Sequence, residues 1–270
     1  MTGIVSTIAA SQILEEFKKS RYKKPLNAVL NLGRTDLLLF VFPERTDLSK
    51  ALSSTIKTPK KPPRILPFAA SEDFLAINNI KSALLKINWH GKDKIKQPGK
   101  LSQEDKEQFI FSIGSKFTNT FTAEVENVLI SLGKNIYRAV ESKNFFQCQI
   151  IDRAGTEHIS KTYDQVDRFL LANNNRALIP EQEYIDFGYL TKVTNPFSKG
   201  KGKGKETKIF IVAGIRGIGT WGVAECLKKN LVAIYKKLGE KKDIDFSAAI
   251  KIHYRNLDIL DTTVMSVNEL

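Results

Sequence analysis

The residues with the clearest chemical potential are four glycines in the stretch IFIVAGIRGIGTWGVAE, residues 209–225. They are Gly214, Gly217, Gly219 and Gly222. An apolar run precedes them and a helix-like run, ECLKKNLVAIYKKLG, follows, which predicts a buried strand, a tight turn and a helix. Glycines in such a turn let the backbone approach a ligand closely, and the first turn of a helix attracts phosphate. The pattern therefore predicts a phosphate or nucleotide site.

Two side chains of the same turn add to this prediction. Thr220 could cap the helix and donate its hydroxyl to a phosphate, and Arg216 supplies a positive charge. The spacing is GxxGxG, which differs from the GxGxxG dinucleotide fingerprint, and no GK[ST] of a Walker loop follows. Glycines chosen only for tight packing between strand and helix are the alternative interpretation.

A second polar turn follows another apolar run, in QFIFSIGSKFTNT, residues 108–120. Ser115 and Asn119 lie where this predicted strand leads into the helix-like run TNTFTAEVENVLISLG, so both are candidate ligand contacts. One of the polar residues here is equally suited to be the helix N-cap. If the two strands are neighbours in one sheet, the two turns flank one cleft.

The elements around these turns predict an α/β fold with a mixed, mostly parallel sheet and flanking helices, Rossmann-like in style. Further strand candidates are DLLLFVFP (36–43), FFQCQIID (145–152), YIDFGYLTKV (184–193) and AAIKIHYRNL (248–257). No helix pattern separates YIDFGYLTKV from KIFIVAG, so these two strands are expected to form an antiparallel hairpin. The polar stretch 91–106 is the best linker candidate, which divides the chain into a basic N-terminal α/β region, 1–104, and a Rossmann-like domain, 105–270. A single sheet that includes strands of both regions is the alternative.

The net charge, the apolar runs and the cysteine and histidine content indicate which classes of function to expect. The chain has 270 residues and a net charge of +13, with the positive excess concentrated in the first 104 residues. That charge favours non-specific contact with nucleic acid or another acidic partner through residues 57–61 and 92–100. No apolar run of 18 residues predicts a membrane-spanning helix. The two cysteines have no CxxC pair and the three histidines no ligand spacing, so we expect no metal site and a reducing cytoplasm.

Two resemblances extend these expectations. The stretch IFIVAGIRGIGTWGVAE resembles Rossmann-like nucleotide-recognising domains, including the SLOG type of prokaryotic signalling and conflict (defence) systems. That resemblance implies a nucleotide or nucleotide-derived ligand and a role as sensor or effector. It covers one strand–helix unit of the chain.

The second resemblance is to TIR domains. QFIFSIGSKFTNTFTAEVENVLISLGKNIY is similar to the opening strand and helix of that family, and Trp221 and Glu225 have the spacing of its Trp and catalytic Glu. This resemblance implies a hydrolase that cleaves the nicotinamide–ribose bond of NAD, with Glu225 stabilising the cationic ribosyl transition state. The alternative for Glu225 is an acid in the first turn of a helix, where the helix dipole favours it.

Overall fold

The computed structural model describes residues 23–32, 35–43, 66–141, 148–151, 157–159, 183–198, 206–255 and 258–270. Its helices are α1 (residues 23–30), α2 (Leu66–Lys86), α3 (Gln103–Lys106), α4 (Thr120–Ser131), α5 (Gly217–Lys229) and α6 (Leu231–Lys237), with a single 3-10 turn at Pro98–Lys100. The strands are β1 (Leu37–Val41), β2 (Lys92–Lys96), β3 (Phe109–Ile113), β4 (Arg138–Glu141), β5 (Cys148–Ile151), β6 (Glu157–Ile159), β7 (Glu183–Thr194), β8 (Lys208–Gly214), β9 (Phe246–Arg255) and β10 (Asp258–Glu269).

Seven strands form one mixed sheet in the order β10-β9-β7-β8-β3-β1-β2. Strands β2, β1, β3 and β8 are parallel neighbours, and β7 pairs antiparallel with both β8 and β9. The predicted α/β class, the mixed sheet and the β7–β8 hairpin are therefore confirmed. Strands β1 and β2, which belong to residues 1–104, lie in the same sheet as the later strands.

Helices cover both faces of this sheet, because alternate strand residues point to opposite sides. On one face the helices α1, α2, α5 and α6 pack on side chains such as Phe40, Phe111 and Phe210. On the other face α4 packs on their neighbours, including Val41, Ile110 and Ile211. The three-stranded sheet β4-β5-β6 is separate, and Tyr137 and Ala139 at its start join the core under α4.

One boundary differs from the expectations. The predicted linker contains β2, a charged strand KDKIK that pairs in parallel with β1 along the edge of the sheet. Helix α2 begins at Leu66, so Glu72 and Asp73 lie beyond its first turn. The basic segment 57–61 lies outside the described residues. None of the described helices is both long and apolar enough to cross a membrane.

Candidate functional site at the carboxyl edge of β3 and β8

The sheet brings the two polar turns to one edge. Strands β3 and β8 pair in parallel, with Ile113 opposite Val212, and Gly114 N donates to Val212 O at 2.9 Å. Adjacent strands lie about 4.8 Å apart, so the turns that follow them start side by side. The chain then leaves to α4 on one face and to α5 on the other. Such a divergence is the crevice where open α/β sheets bind ligands.

In the turn after β3, Asn119 holds the structure together. Its Oδ1 caps α4 by accepting from Phe121 N at 3.0 Å and Thr122 N at 3.2 Å. Its Nδ2 donates to Ile113 O at 2.8 Å and Val41 O at 3.2 Å. The side chain is fully buried, and its hydrogen-bonding capacity is used within the protein. Asn119 therefore positions this turn, and its amide does not face the cleft.

The rest of this turn offers polar and aromatic groups. Ser115 is buried, and its carbonyl accepts from Thr118 N at 3.0 Å and Asn119 N at 2.9 Å. Lys116 and Thr118 are half-buried, and Phe117 is 37% exposed. Lys116 Nζ lies 5.3 Å from the centre of the Phe117 ring. A cation and an aromatic face thus stand together beside the end of β3.

The turn after β8 is closed by its own backbone. A Cβ on Gly214 would lie 2.3 Å from both Thr220 N and the carbonyl carbon of Gly219, which no side chain permits. Thr220 Oγ1 accepts from Gly214 N at 3.0 Å and donates to Arg216 O at 3.3 Å. The N-cap of α5 is Arg216, without a side-chain cap. Thr220 thus ties helix to strand instead of capping the helix, and Gly214 is required for packing.

Two carboxyl groups occupy the space that the next two glycines leave open. A Cβ on Gly217 would lie 1.6 Å from Glu72 Oε2, and a Cβ on Gly219 would lie 2.6 Å from Asp186 Oδ2. Asp186 is fully buried on β7, and its Oδ1 accepts from Phe187 N at 2.8 Å. Its Oδ2 makes no hydrogen bond of normal geometry. The protein's own acids therefore cover the helix N-terminus, a position that favours negative charge.

Burial raises the pKa of these acids and of the neighbouring Asp73. Desolvation, then the charges of Asp73 and Asp186, raise the pKa of Glu72 to about 8, against the opposing charge of Arg216. Desolvation raises the pKa of Asp73 to about 7. Desolvation also raises the pKa of Asp186 to about 6, although Arg216 and the N–H groups of Phe187, Arg216 and Gly219 act in the other direction. This acidic cluster changes its charge around neutral pH.

Glu225 lies away from both turns. It is eight residues beyond Gly217, about 12 Å along the helix axis at 1.5 Å per residue. Its Oε1 lies 2.5 Å from Lys229 Nζ and its Oε2 lies 3.6 Å from Lys228 Nζ. Trp221 packs with a separate apolar cluster that contains Tyr184. The structure thus groups six of the predicted residues at one edge of the sheet, with Asn119 beneath them, and leaves Glu225 outside this group. The six are Gly214, Arg216, Gly217, Gly219, Thr220 and Ser115.

Sequence reasoning missed the acids and Lys116. Glu72 lies in a helix-like part of the sequence, and no residue around it indicates a contact with the turn after β8. Asp186 carried a usable signal, since an acidic residue in the middle of the apolar strand YIDFGYL has to be buried or functional. Lys116 lies inside the predicted turn, but the prediction for this turn included only the small polar residues around it.

One hollow in the described part of the chain lies away from both turns. It has a volume of about 570 Å³ and is lined by Lys23, Lys24, Asn27, Ala28, Asn31 and Lys242. Asp243 N donates to Ala28 O just before β9 begins, which places this hollow at the amino edge of the sheet. Among the described residues, no group of three or more His, Cys, Asp or Glu side chains is arranged to hold a metal ion.

Comparison with known proteins adds no relative. No protein-family model matches the sequence, and no curated protein and no solved structure is significantly similar to it.

Proposed function

We propose that this protein binds a nucleotide or a nucleotide-derived ligand in the cleft between the turns after β3 and β8. The observation that carries the proposal is the parallel pairing of these two strands, with α4 and α5 leaving to opposite faces. Two polar turns at a single point of divergence are the usual setting for a phosphate-bearing ligand in this architecture.

The chemistry of the two turns supports a phosphate. Lys116 belongs to one turn and Arg216 to the other, so each strand end contributes one cation. Arginine can hold a phosphate with two parallel hydrogen bonds, whereas lysine acts as a point charge. Gly217 is half-buried, and its missing side chain leaves a space next to Arg216 that the Glu72 carboxyl group fills. A phosphate group between the two turns would meet both cations.

Phe117 supports the nucleoside part of such a ligand. Its ring is 37% exposed beside Lys116, in a position where a base could stack. Stacking on an aromatic ring contributes about 1–3 kcal/mol per base. The ligand-binding module would serve as a sensor or effector in signalling or defence. Its free buried thiol, Cys226, fits a cytoplasmic location.

The test is thermal unfolding of the full chain with NAD, ATP, GTP, cyclic nucleotides and a short DNA duplex. A ligand at about 100 times its dissociation constant adds roughly 2.7 kcal/mol, which raises the melting temperature by several degrees. We expect one nucleotide to give this shift and Lys116→Ala to remove it. Lys236→Ala is the matched control, because exposed Lys236 lies on α6.

Three results would count against the proposal. The first is that no nucleotide shifts the melting temperature, and the second is that Lys116→Ala leaves the shift intact. The third is a shift from DNA alone, which would favour nucleic-acid contact through the basic residues 57–61 and 92–100. NAD cleavage by Glu225 stays a prediction. Release of nicotinamide by the wild-type protein that Glu225→Gln abolishes would support it, and no release at any protein concentration would contradict it.

A further inference from the structure

We propose that the side chain of Glu72 acts as a plug, because it blocks the glycine-rich turn after β8. This turn, residues 214–220, is called the glycine turn below. The Glu72 carboxyl group takes the place over Gly217, beside Arg216, that the phosphate of the ligand needs, and it has to leave before the ligand binds. This inference rests on the proposed function, because it describes how the same cleft is closed.

Of the contacts that fill the space at the four glycines, the contact with Glu72 is the one that a side-chain rotation can remove. Backbone atoms fill the space at Gly214, and the side chain of Ile252 fills the space at Gly222. Asp186 faces Gly219 but is fully buried within the sheet. At Gly217 the filling atoms belong to Glu72, a half-buried side chain near the start of α2. Rotation of that flexible side chain uncovers Gly217 without moving a strand.

A carboxyl group and a phosphate compete for this place because they use the same features. Both accept hydrogen bonds, both are favoured by the N-terminus of α5, and both are attracted by the Arg216 guanidinium. They cannot share the place, because Glu72 Oε2 already fills the space over Gly217. The overlap with Gly217 is close enough that a single methyl group there would already collide with Glu72 Oε2.

Displacement of the plug is coupled to protons. In the described part of the chain the charged groups that face Glu72 are Asp73 on its own helix, Asp186 on β7 and Arg216 in the turn. The seated carboxyl group has a pKa of about 8, and a solvated one titrates at the ordinary value of 4.5. Between these values, a ligand that displaces Glu72 releases a proton, so its affinity rises with pH.

The experiment measures NAD binding by calorimetry at pH 6.0 and pH 8.0, or binding of the panel member that gave the thermal shift. The proteins are the wild type, Glu72→Ala and Glu72→Gln. We expect Glu72→Ala to bind at least tenfold more tightly than the wild type at pH 6.0, with a smaller gain at pH 8.0. Glu72→Gln keeps the volume but cannot release a proton, so it should bind with a weaker pH dependence than the wild type.

Glu107→Gln is the matched control, because Glu107 is half-buried at the end of α3 and precedes β3 at the other edge of the sheet. It should bind as the wild type does. Circular dichroism confirms that each variant is folded. Because the ratio of variant to wild type is taken at each pH, titration of the ligand's own phosphate cancels.

Each remaining outcome overturns the plug, and one of them also overturns the proposed function. Equal affinity of the wild type and Glu72→Ala at both pH values overturns the plug and leaves the proposed function standing. Weaker binding by Glu72→Ala also overturns it, because Glu72 would then be a ligand contact. If no panel member binds any of the proteins, the proposed function is wrong and the plug is wrong with it.

Discussion

The turns after β3 and β8 solve one structural problem in two different ways. Each turn ends a central parallel strand and begins a helix, and each has to satisfy the N–H groups of the first helical turn. After β3 the Asn119 amide, with Thr122 and Ser112, forms a network of neutral groups. After β8 the carboxyl groups of Glu72 and Asp186 take the corresponding place.

The difference lies in what can change the two turns. A neutral amide network has no proton to gain or lose near neutral pH, so the first turn keeps its shape. The second turn is closed by groups with raised pKa values and by one side chain that can rotate away. One turn is thus a fixed frame, and the other responds to pH and to competing anions.

The largest effect is expected where the backbone itself is in contact. Gly214→Ala places a methyl group 2.3 Å from Thr220 N, and no rotamer change relieves that overlap. We expect a loss of more than about 4 kcal/mol in the free energy of unfolding, or no folded protein. Gly133→Ala is the control, since its Cβ meets nothing within 4 Å and only its φ of +70° adds strain, about 1–2 kcal/mol. Urea denaturation compares them, and similar losses would contradict the close approach.

Asn119→Ala should have the next largest effect. The change removes the helix cap and leaves the Ile113 and Val41 carbonyl groups without their Nδ2 donor, which costs about 2–4 kcal/mol in stability. The loss should be the same at pH 6 and pH 8, because none of these groups titrates there. A loss that changes with pH would contradict the description of this turn as a fixed frame.

The effect of Glu72→Gln on stability should depend on pH, in contrast to that of Asn119→Ala. The folded-state pKa of Glu72 is raised from 4.5 to about 8, so its contribution is fully present below about pH 4.5 and is lost as the pH rises through 8. Stability of the wild type should therefore fall between pH 5 and 8, and Glu72→Gln should be more stable than the wild type at pH 8 by about 1–3 kcal/mol. The two should be nearly equal at pH 5. Denaturant titrations at both pH values measure this difference.

Glu126 provides the internal check on that measurement. It is buried on α4, its Oε1 accepts from Tyr189 OH at 2.6 Å, and burial raises its pKa to about 7. Part of the pH dependence of the wild type therefore persists in Glu72→Gln, and Glu126→Gln should reduce that remainder. A pH profile that Glu72→Gln leaves unchanged would show that Glu72 is not a source of the pH dependence.

The smallest effect is a coupling energy. Gly217→Ala pushes against Glu72 in the wild type, but in the Glu72→Ala background the methyl group meets no carboxyl group. A double-mutant cycle should give a coupling of about 1 kcal/mol, as side chains in direct contact do. Strict additivity of the two changes would contradict the contact on which the plug depends.

The sequence predicted those parts of the fold that carry periodic apolar patterns. The strands β3 and β8 are mostly apolar and fully buried, and β9 is rich in apolar residues and largely buried. The absence of a helix pattern between β7 and β8 predicted their antiparallel pairing. The edge strands β2 and β10 went unpredicted, because neither carries such a pattern. Four of the five residues of β2 are exposed, and β10 buries only Thr262 and Val264.

The candidate site was predicted in outline only. Local patterns placed Ser115 and the glycines of the second turn at strand ends, and the neighbouring positions of β3 and β8 were a stated condition that the sheet order fulfils. What these residues touch depends on contacts between distant segments. Glu72 meets Gly217, and Asp186 meets Gly219, from parts of the chain that no local pattern connects to the turn.

The pairing of β3 with β8 also dictates when the cleft can exist during folding. Ile110 pairs with Ile209, roughly a hundred residues later, so this contact closes a long loop and is expected to form slowly. During synthesis, β3 leaves the ribosome long before its partner does. Until β8 arrives, an apolar strand edge has no neighbour and is open to pairing with other chains. A nascent or truncated chain that ends before residue 208 would lack the cleft and carry this aggregation-prone edge.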